Sequence, residues 1–113
     1  MSDDRSDLVK GTLDLLVLKT LSVEPMHGWG IAQRIEPMST GAFSVNQGSL
    51  YPALHRMKRR GWIRSEWRTT NNQRRARYYE LTRAGEARLA EERREWRRAS
   101  TAVNRVLAWE GGG

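Results

Sequence analysis

Hydrophobic residues recur along this chain with a helical period in four stretches and with a strand-like period in one pair of shorter runs. Between Gly11 and Leu21, the residues Leu13, Leu15, Leu16, Val17, Leu18 and Leu21 make a segment that is apolar almost all round, with Thr12 placed as its N-cap. A helix that apolar belongs at the centre of a core, whereas the polar residues 1–7 before it are expected to fray. After a break at Glu24-Pro25, His27 to Glu36 gives a second helical pattern through Ile31 and Ile35, closed by Pro37. Ser39-Thr40-Gly41 then supplies loop chemistry before a third pattern, in which Leu50, Leu54 and Met57 fall at i, i+4 and i+7 and Ala53 widens the stripe. Gly61 is its stop. Pro52 leaves two starts for this helix: near Tyr51, which puts the proline in the first turn, or at Asn46, the better N-cap, with Pro52 tolerated inside. The second is preferred.

The period then changes. Trp62 to Arg68 is rich in strand formers, Thr69 to Arg74 is polar, and Arg75-Ala76-Arg77-Tyr78-Tyr79-Glu80-Leu81 alternates, so the pair predicts a hairpin with a basic tip. From Thr82, a good N-cap, to about Trp109 there is no proline, and the only glycine is Gly85 near the start. A helix of that length, about 40 Å, exceeds what so short a chain needs for its own core. Leu89, Trp96 and Val103 are spaced by seven, and Ala99 and Val106 supply the alternate step of a heptad, which predicts a coiled-coil-like dimerisation seam. Trp96 stands alone among charges and calls for a cover, either a second chain or the back of the same chain's core. The pattern as a whole predicts a mainly α fold with a small β-hairpin. It divides into a winged helix-turn-helix unit over residues 8–81 and a C-terminal dimerisation helix over residues 82–109.

Charge adds a partner to this picture. Lys and Arg number 20 against 13 for Asp and Glu, and nine of the 20 cations lie between Arg56 and Arg77, where Glu66 is the only acid. A cluster of cations so free of acids is the footprint of a phosphate-contacting surface. The third helix carries it further. Opposite its apolar stripe lie Gly48, Pro52, His55 and Arg59, flanked by Ser49, Tyr51 and Arg56. Small residues at its N-terminal end let a backbone approach base edges, and basic ones further along meet phosphates, so it reads as a DNA-reading helix followed by a wing. A solvated basic face is the plainer alternative, and so is an ordinary surface hairpin for the wing.

Other chemistry is scarce. There is no cysteine, which excludes disulfides and thiolate sites. The two histidines, His27 and His55, sit in no metal or nucleophile motif and are expected to cap or to face solvent, so neither a cofactor nor a metal nor enzymatic activity is expected. The chain start has neither the charge nor the apolar run of a signal peptide, and no segment suits a membrane, so a cytoplasmic address is expected.

Six blocks, in order, carry a family resemblance: Gly11-Thr12-Leu13-Asp14-Leu15-Leu16, His27-Gly28-Trp29-Gly30-Ile31, Gln47 to Leu54, Gly61-Trp62-Ile63, Arg75 to Tyr79, and Leu81-Thr82 with Gly85. Together they resemble the PadR-like transcriptional regulators, in the short branch that adds one long dimerising helix to a winged helix. The resemblance implies double-stranded DNA as partner, with Asn46, Gln47, Ser49, Tyr51 and Arg56 contacting it from the third helix and Arg74, Arg75, Arg77 and Tyr78 from the wing. It implies a homodimeric repressor on a pseudo-palindromic operator, and, at Trp96, a place for a small apolar or aromatic effector. Family members more often carry tyrosine where this chain has Trp29, so an indole N–H would have to replace a hydroxyl there. A winged-helix module docking an acidic protein partner through its basic hairpin is the alternative kept open.

Overall fold

The computed structural model describes residues 3–112, so Met1, Ser2 and Gly113, which fall in the expected frayed start and glycine tail, lie outside the described residues. Helix α1 spans Asp3–Val23. The leucine-rich run was expected to begin a helix at Thr12, but nothing from Asp3 to Lys10 is proline or glycine, and a leucine-driven helix propagates upstream until something stops it. Thr12 is therefore an interior residue of α1 and not its N-cap, and residues 3–7 are helical. Leu13, Val17, Leu18 and Leu21 are buried, with Leu15 and Leu16 packed at the edge of the same core, which gives α1 the central place its composition predicts. Thr20 is the buried polar residue of this helix, and its hydroxyl is satisfied by donating to Leu16 O at 2.8 Å.

Helix α2 (Gly28–Met38) contributes Ile31 and Ile35, and helix α3 (Gln47–Arg59) contributes Leu50, Ala53, Leu54 and Met57. Pro37 sits inside the last turn of α2 rather than ending it, one residue before the helix closes onto Ser39. Asn46 is the N-cap of α3, its Oδ1 accepting from Ser49 N at 2.9 Å, and the helix runs on through Pro52, as the preferred start requires. An ion pair from Arg56 Nη2 to Asp14 Oδ1 fastens α3 to α1 beside the core.

Strands β2 (Ile63–Thr69) and β3 (Arg75–Leu81) form the expected hairpin in register Ile63↔Leu81 through Thr69↔Arg75. A third strand was not foreseen. Met26 and His27 (β1) pair antiparallel with Tyr79 and Tyr78, giving the order β1-β3-β2. His27 therefore ends a strand, and its Nδ1 also caps α2 by accepting from Gly30 N at 3.0 Å. A two-residue strand has no periodicity of its own, so only its pairing reveals it.

Helix α4 (Arg83–Ala108) begins at the Thr82 cap, whose Oγ1 accepts from Gly85 N at 3.0 Å. Leu89 was placed in the dimer seam, but it is 8% exposed within its own chain and belongs to the core that holds α1 and α3. Heptad spacing cannot tell which chain supplies the burial, and the first turns of α4 lie against α1. Beyond that point the helix leaves the body, and the molecule measures 64 Å along its longest axis against 31 and 24 Å across.

The exit of α3 and the entry of α4 share one backbone segment. Gly61, at φ +80°, closes α3 with its N–H on Lys58 O, and Trp62 N reaches Met57 O, both at 3.0 Å. This double closure needs a left-handed residue, which glycine supplies without strain. Thr82 N then donates to Trp62 O at 3.0 Å, and the Thr82 hydroxyl lies 2.6 Å from Gly61 O. Two guanidinium groups lie against the Trp62 ring, Arg60 at 5.3 Å and Arg88 at 4.7 Å from its centre. Burial alone would lower the pKa of Arg88, but the hydrogen bond and charge of Glu92 outweigh it and the net shift is upward, so this cation is fixed. At Gly85 a Cβ would stand 2.0 Å from Trp62 O, a clash with backbone that no side-chain rotation relieves. Gly85→Ala is therefore expected to destabilise the protein by about 3 kcal/mol or more, the upper end for overpacking. The check is a denaturant melt, and an unchanged midpoint would contradict the close approach.

Candidate nucleic-acid interface

The exposed face of α3 starts from short side chains. Gln47, Gly48 and Ser49 are exposed in its first turn, Pro52 and His55 continue the line, and Lys58 and Arg59 end it. No acid occurs anywhere in this helix. Asn46 is exposed, and its Oδ1 already accepts the cap bond, so its amide N–H groups are the donors it can offer another molecule. Arg56 is likewise engaged, with one guanidinium nitrogen on Asp14, and its evident structural work is to hold α3 against α1.

Tyr51 is placed by a neighbour that has no side chain. A Cβ on Gly28 would lie 2.7 Å from Tyr51 Oη and 2.8 Å from its Cε1, so the phenol lies across the first residue of α2. Its hydroxyl thereby sits at the head of α2, one residue from the exposed Trp29, whose ring stacks on His27 with 6.1 Å between centres. Burial raises the pKa of Tyr79 in β3; the charge of Arg77 partly opposes that and Tyr51 adds to it, so the Tyr79 phenol stays protonated at neutral pH.

The wing has two unlike faces. Pairing of Trp67 with Arg77 and of Thr69 with Arg75 puts Trp67, Arg75 and Arg77 on the face that continues inward to Ser65, Tyr79 and the core. Arg75 and Arg77 both lie over the Trp67 ring, at 5.2 and 4.8 Å from its centre, and Arg77 Nη1 also donates to Ser65 Oγ at 2.9 Å. The opposite face carries Arg64, Glu66, Arg68, Tyr78 and Glu80. There the charges cancel: Arg64 donates to Glu80 at 2.8 Å, Arg68 bonds Glu66 at 2.6 Å, and Arg68 lies 3.6 Å from Glu80. Glu80, first by its hydrogen bond and then by its charge, raises the pKa of Arg64. Tyr78 belongs to this compensated face, with Arg68 over its ring and His27 edge-on to it at 5.5 Å. Of the wing residues singled out from the sequence, Arg74 lies exposed at the tip, Arg75 and Arg77 share one face, and Tyr78 lies on the other. Trp67 was not among them, although its position opposite Arg77 follows from the period of two once the register is known.

A groove of about 570 Å³ opens on the Tyr78 side, between β1, α2 and β3, lined by Met26, His27, Gln33, Arg34 and Tyr78 among others. Its rim cation, Arg34, is paired with Glu24 at 3.1 Å. Among the described residues no three His, Asp or Glu side chains gather to hold a metal, and no helix is long and apolar enough to cross a membrane.

Two helices packed with an acid-free α3 exposed along one side and a hairpin carrying unpaired arginines beside it define a winged helix-turn-helix DNA-binding protein. Residues 17–91 match the model of the transcriptional regulator PadR-like family. The chain is 34% identical over 85 residues to the transcriptional regulator Rv3488 of Mycobacterium tuberculosis, covering 75% of this chain and 76% of that one. Among solved structures it resembles a PadR-like transcriptional regulator from Bacillus cereus, with TM-score 0.78 and 28% identity over 92% of this chain and 99% of the other. A PadR family transcriptional regulator from Eggerthella lenta is similar too, with TM-score 0.78 and 27% identity over 96% and 93% of the two chains. The chain belongs to the PadR-like family of transcriptional regulators: it is a DNA-binding regulator and not an enzyme.

The Tyr51 contact yields a test independent of DNA. Gly28→Ala forces the phenol off α2 and is expected to cost about 1–2 kcal/mol, the usual range for inserting a methyl into a filled site. In a Tyr51→Ala background the same change should cost nearly nothing. Equal costs in both backgrounds, measured by denaturant unfolding, would show that Tyr51 does not rest on Gly28.

Proposed function

We propose that this protein is a cytoplasmic homodimeric repressor that reads a pseudo-palindromic operator with the N-terminal half of α3 and grips the flanking backbone with the wing. The observation that carries this reading is the acid-free face of α3 beside the cationic face of the wing, in a member of a regulator family. Gln47, Ser49 and Tyr51 are the base-proximal group, with the amide of Asn46 beside them. Arg74, Arg75 and Arg77 are the phosphate group. Arg56 serves this site chiefly by setting the height of α3 above α1. Tyr78, on the charge-compensated face, contributes through the sheet and His27 rather than as a primary phosphate contact.

The second subunit comes from the outer part of α4. Trp96 is 51% exposed in the single chain, and Ala99, Val103 and Val106 continue its line toward Leu107 and Trp109, all exposed. An apolar stripe this long is costly in water, and a second copy of the same helix covers it in a symmetric way. The seam so formed omits Leu89. Because α4 is fastened to α3 through Trp62 and Thr82, pairing of the α4 helices fixes the separation of the two α3 helices. A flat apolar effector beside Trp96 would then act by tilting the pair and spoiling the half-site spacing, which releases the promoter.

Fluorescence anisotropy of the purified protein, on the duplex upstream of its own gene and on a scrambled duplex over a salt series, tests this directly. Tight, salt-steep binding that favours the upstream duplex is expected, since each phosphate contact contributes about 0.9 to the salt slope. Ser49→Ala and Tyr51→Phe should weaken the upstream duplex far more than the scrambled one. Equal loss on both would make these two residues backbone anchors, and salt-insensitive binding would refute the phosphate face.

A further inference from the structure

The wing is a thin ribbon whose two faces carry nearly the same number of arginines, yet only one face leaves them without acids. On the Glu66 and Glu80 side every arginine is held by a carboxylate. On the other side Arg75 and Arg77 are held instead by an indole, one ring gathering two cations. The difference matters for binding a polyanion. A carboxylate neutralises the charge it positions, whereas an aromatic face positions a guanidinium and leaves its charge and its N–H donors available. Trp67 itself is 53% exposed and packs on nothing in the core, so burial does not account for a tryptophan at this position. Arg77, Trp67 and Arg75 carry outward to the wing tip the same sheet face on which Tyr79 is buried against the core.

We propose that Trp67 is a positioning residue for duplex binding: its ring pre-arranges Arg75 and Arg77 side by side as a paired phosphate clamp on the α3-facing side of the wing, and this side, not the Tyr78 side, lies against the DNA backbone. The inference rests on the DNA-binding reading above and deepens it. Two long side chains free in solution lose rotamer freedom when they meet a phosphate, and a shared aromatic platform removes part of that loss before binding. Ser65 adds a second restraint on Arg77, through the bond to Nη1, but none on Arg75. Arg75 is therefore the cation that depends most on the ring.

The test uses the intact protein and a mixed-sequence duplex of about 25 base pairs, long enough for backbone contacts and indifferent to the unknown operator. Salt slopes are measured for the wild type, Trp67→Ala, Trp67→Leu, Trp67→Phe, the Arg75→Ala/Arg77→Ala pair, and that pair combined with Trp67→Ala. Removing both arginines should make the slope shallower by about 1.8, two phosphate contacts' worth. Trp67→Ala and Trp67→Leu should lose about half of that or more with unchanged melting temperature, and Trp67→Phe should retain most of it. In the background lacking both arginines, Trp67→Ala should do nothing further. Leucine keeps apolar bulk without a ring face, so a full slope for Trp67→Leu would overturn the proposal. So would an additional loss in the arginine-free background, which would mean that the ring contacts DNA by itself. A steep wild-type slope with no response to Trp67 sinks this inference while the DNA-binding reading stands. Absence of wild-type duplex binding at low salt takes down both.

Discussion

The placement of α4 against the exit of α3 depends on the contact of Gly85 with the Trp62 carbonyl. That carbonyl receives Thr82 N, and α4 approaches it so closely that a methyl group has no room. Helices usually meet through side chains, whose lengths leave some play. Here backbone meets backbone, which leaves the start of α4 little play against the residue that follows α3. Two arginines, Arg60 from the exit of α3 and Arg88 from α4, also lie against the Trp62 ring. The junction ties α4 to the exit of α3, and Leu89, buried in the common core, anchors its first turns.

A second constraint is electrostatic. A chain with net charge +7 must keep some arginines available while tying others down, or the molecule would repel itself wherever the cations crowd. The sheet solves this by sorting with a period of two. Carboxylates face the groove side, and an indole faces the α3 side. Asp14 performs a similar task for Arg56, at the point where α3 crosses α1. On the wing, the arginines left without a carboxylate, Arg75 and Arg77, share one face, where a phosphate backbone would profit most from them.

Much of this was legible in the order of residues. The leucine-rich first helix, the stripe Leu50, Leu54 and Met57, the Asn46 cap, the Gly61 stop and the hairpin are all local patterns, and local patterns survive folding unchanged. Three features were not legible, for different reasons. Strand β1 is only two residues long and exists because Tyr78 and Tyr79 offer it an edge. The Arg56–Asp14 pair joins residues 42 apart in sequence, so a side chain that reads as a free cation on its helix is in fact half spent. Leu89 obeys a heptad and is buried, but by its own chain. The sorting of the wing faces lies between these cases. Alternation prescribes it, but only the strand register shows that Trp67 stands between Arg75 and Arg77.

The central claim is that the α3–α4 junction turns pairing of the outer α4 helices into a fixed distance between two reading helices. Selection of bound duplexes from a random pool by the intact protein measures that distance directly, as the separation of the enriched half-sites. Two inverted half-sites about 10 base pairs apart, one helical turn, are the expected result for a rigid twofold dimer. Enrichment of isolated half-sites, or of pairs at many separations, would contradict a rigid junction.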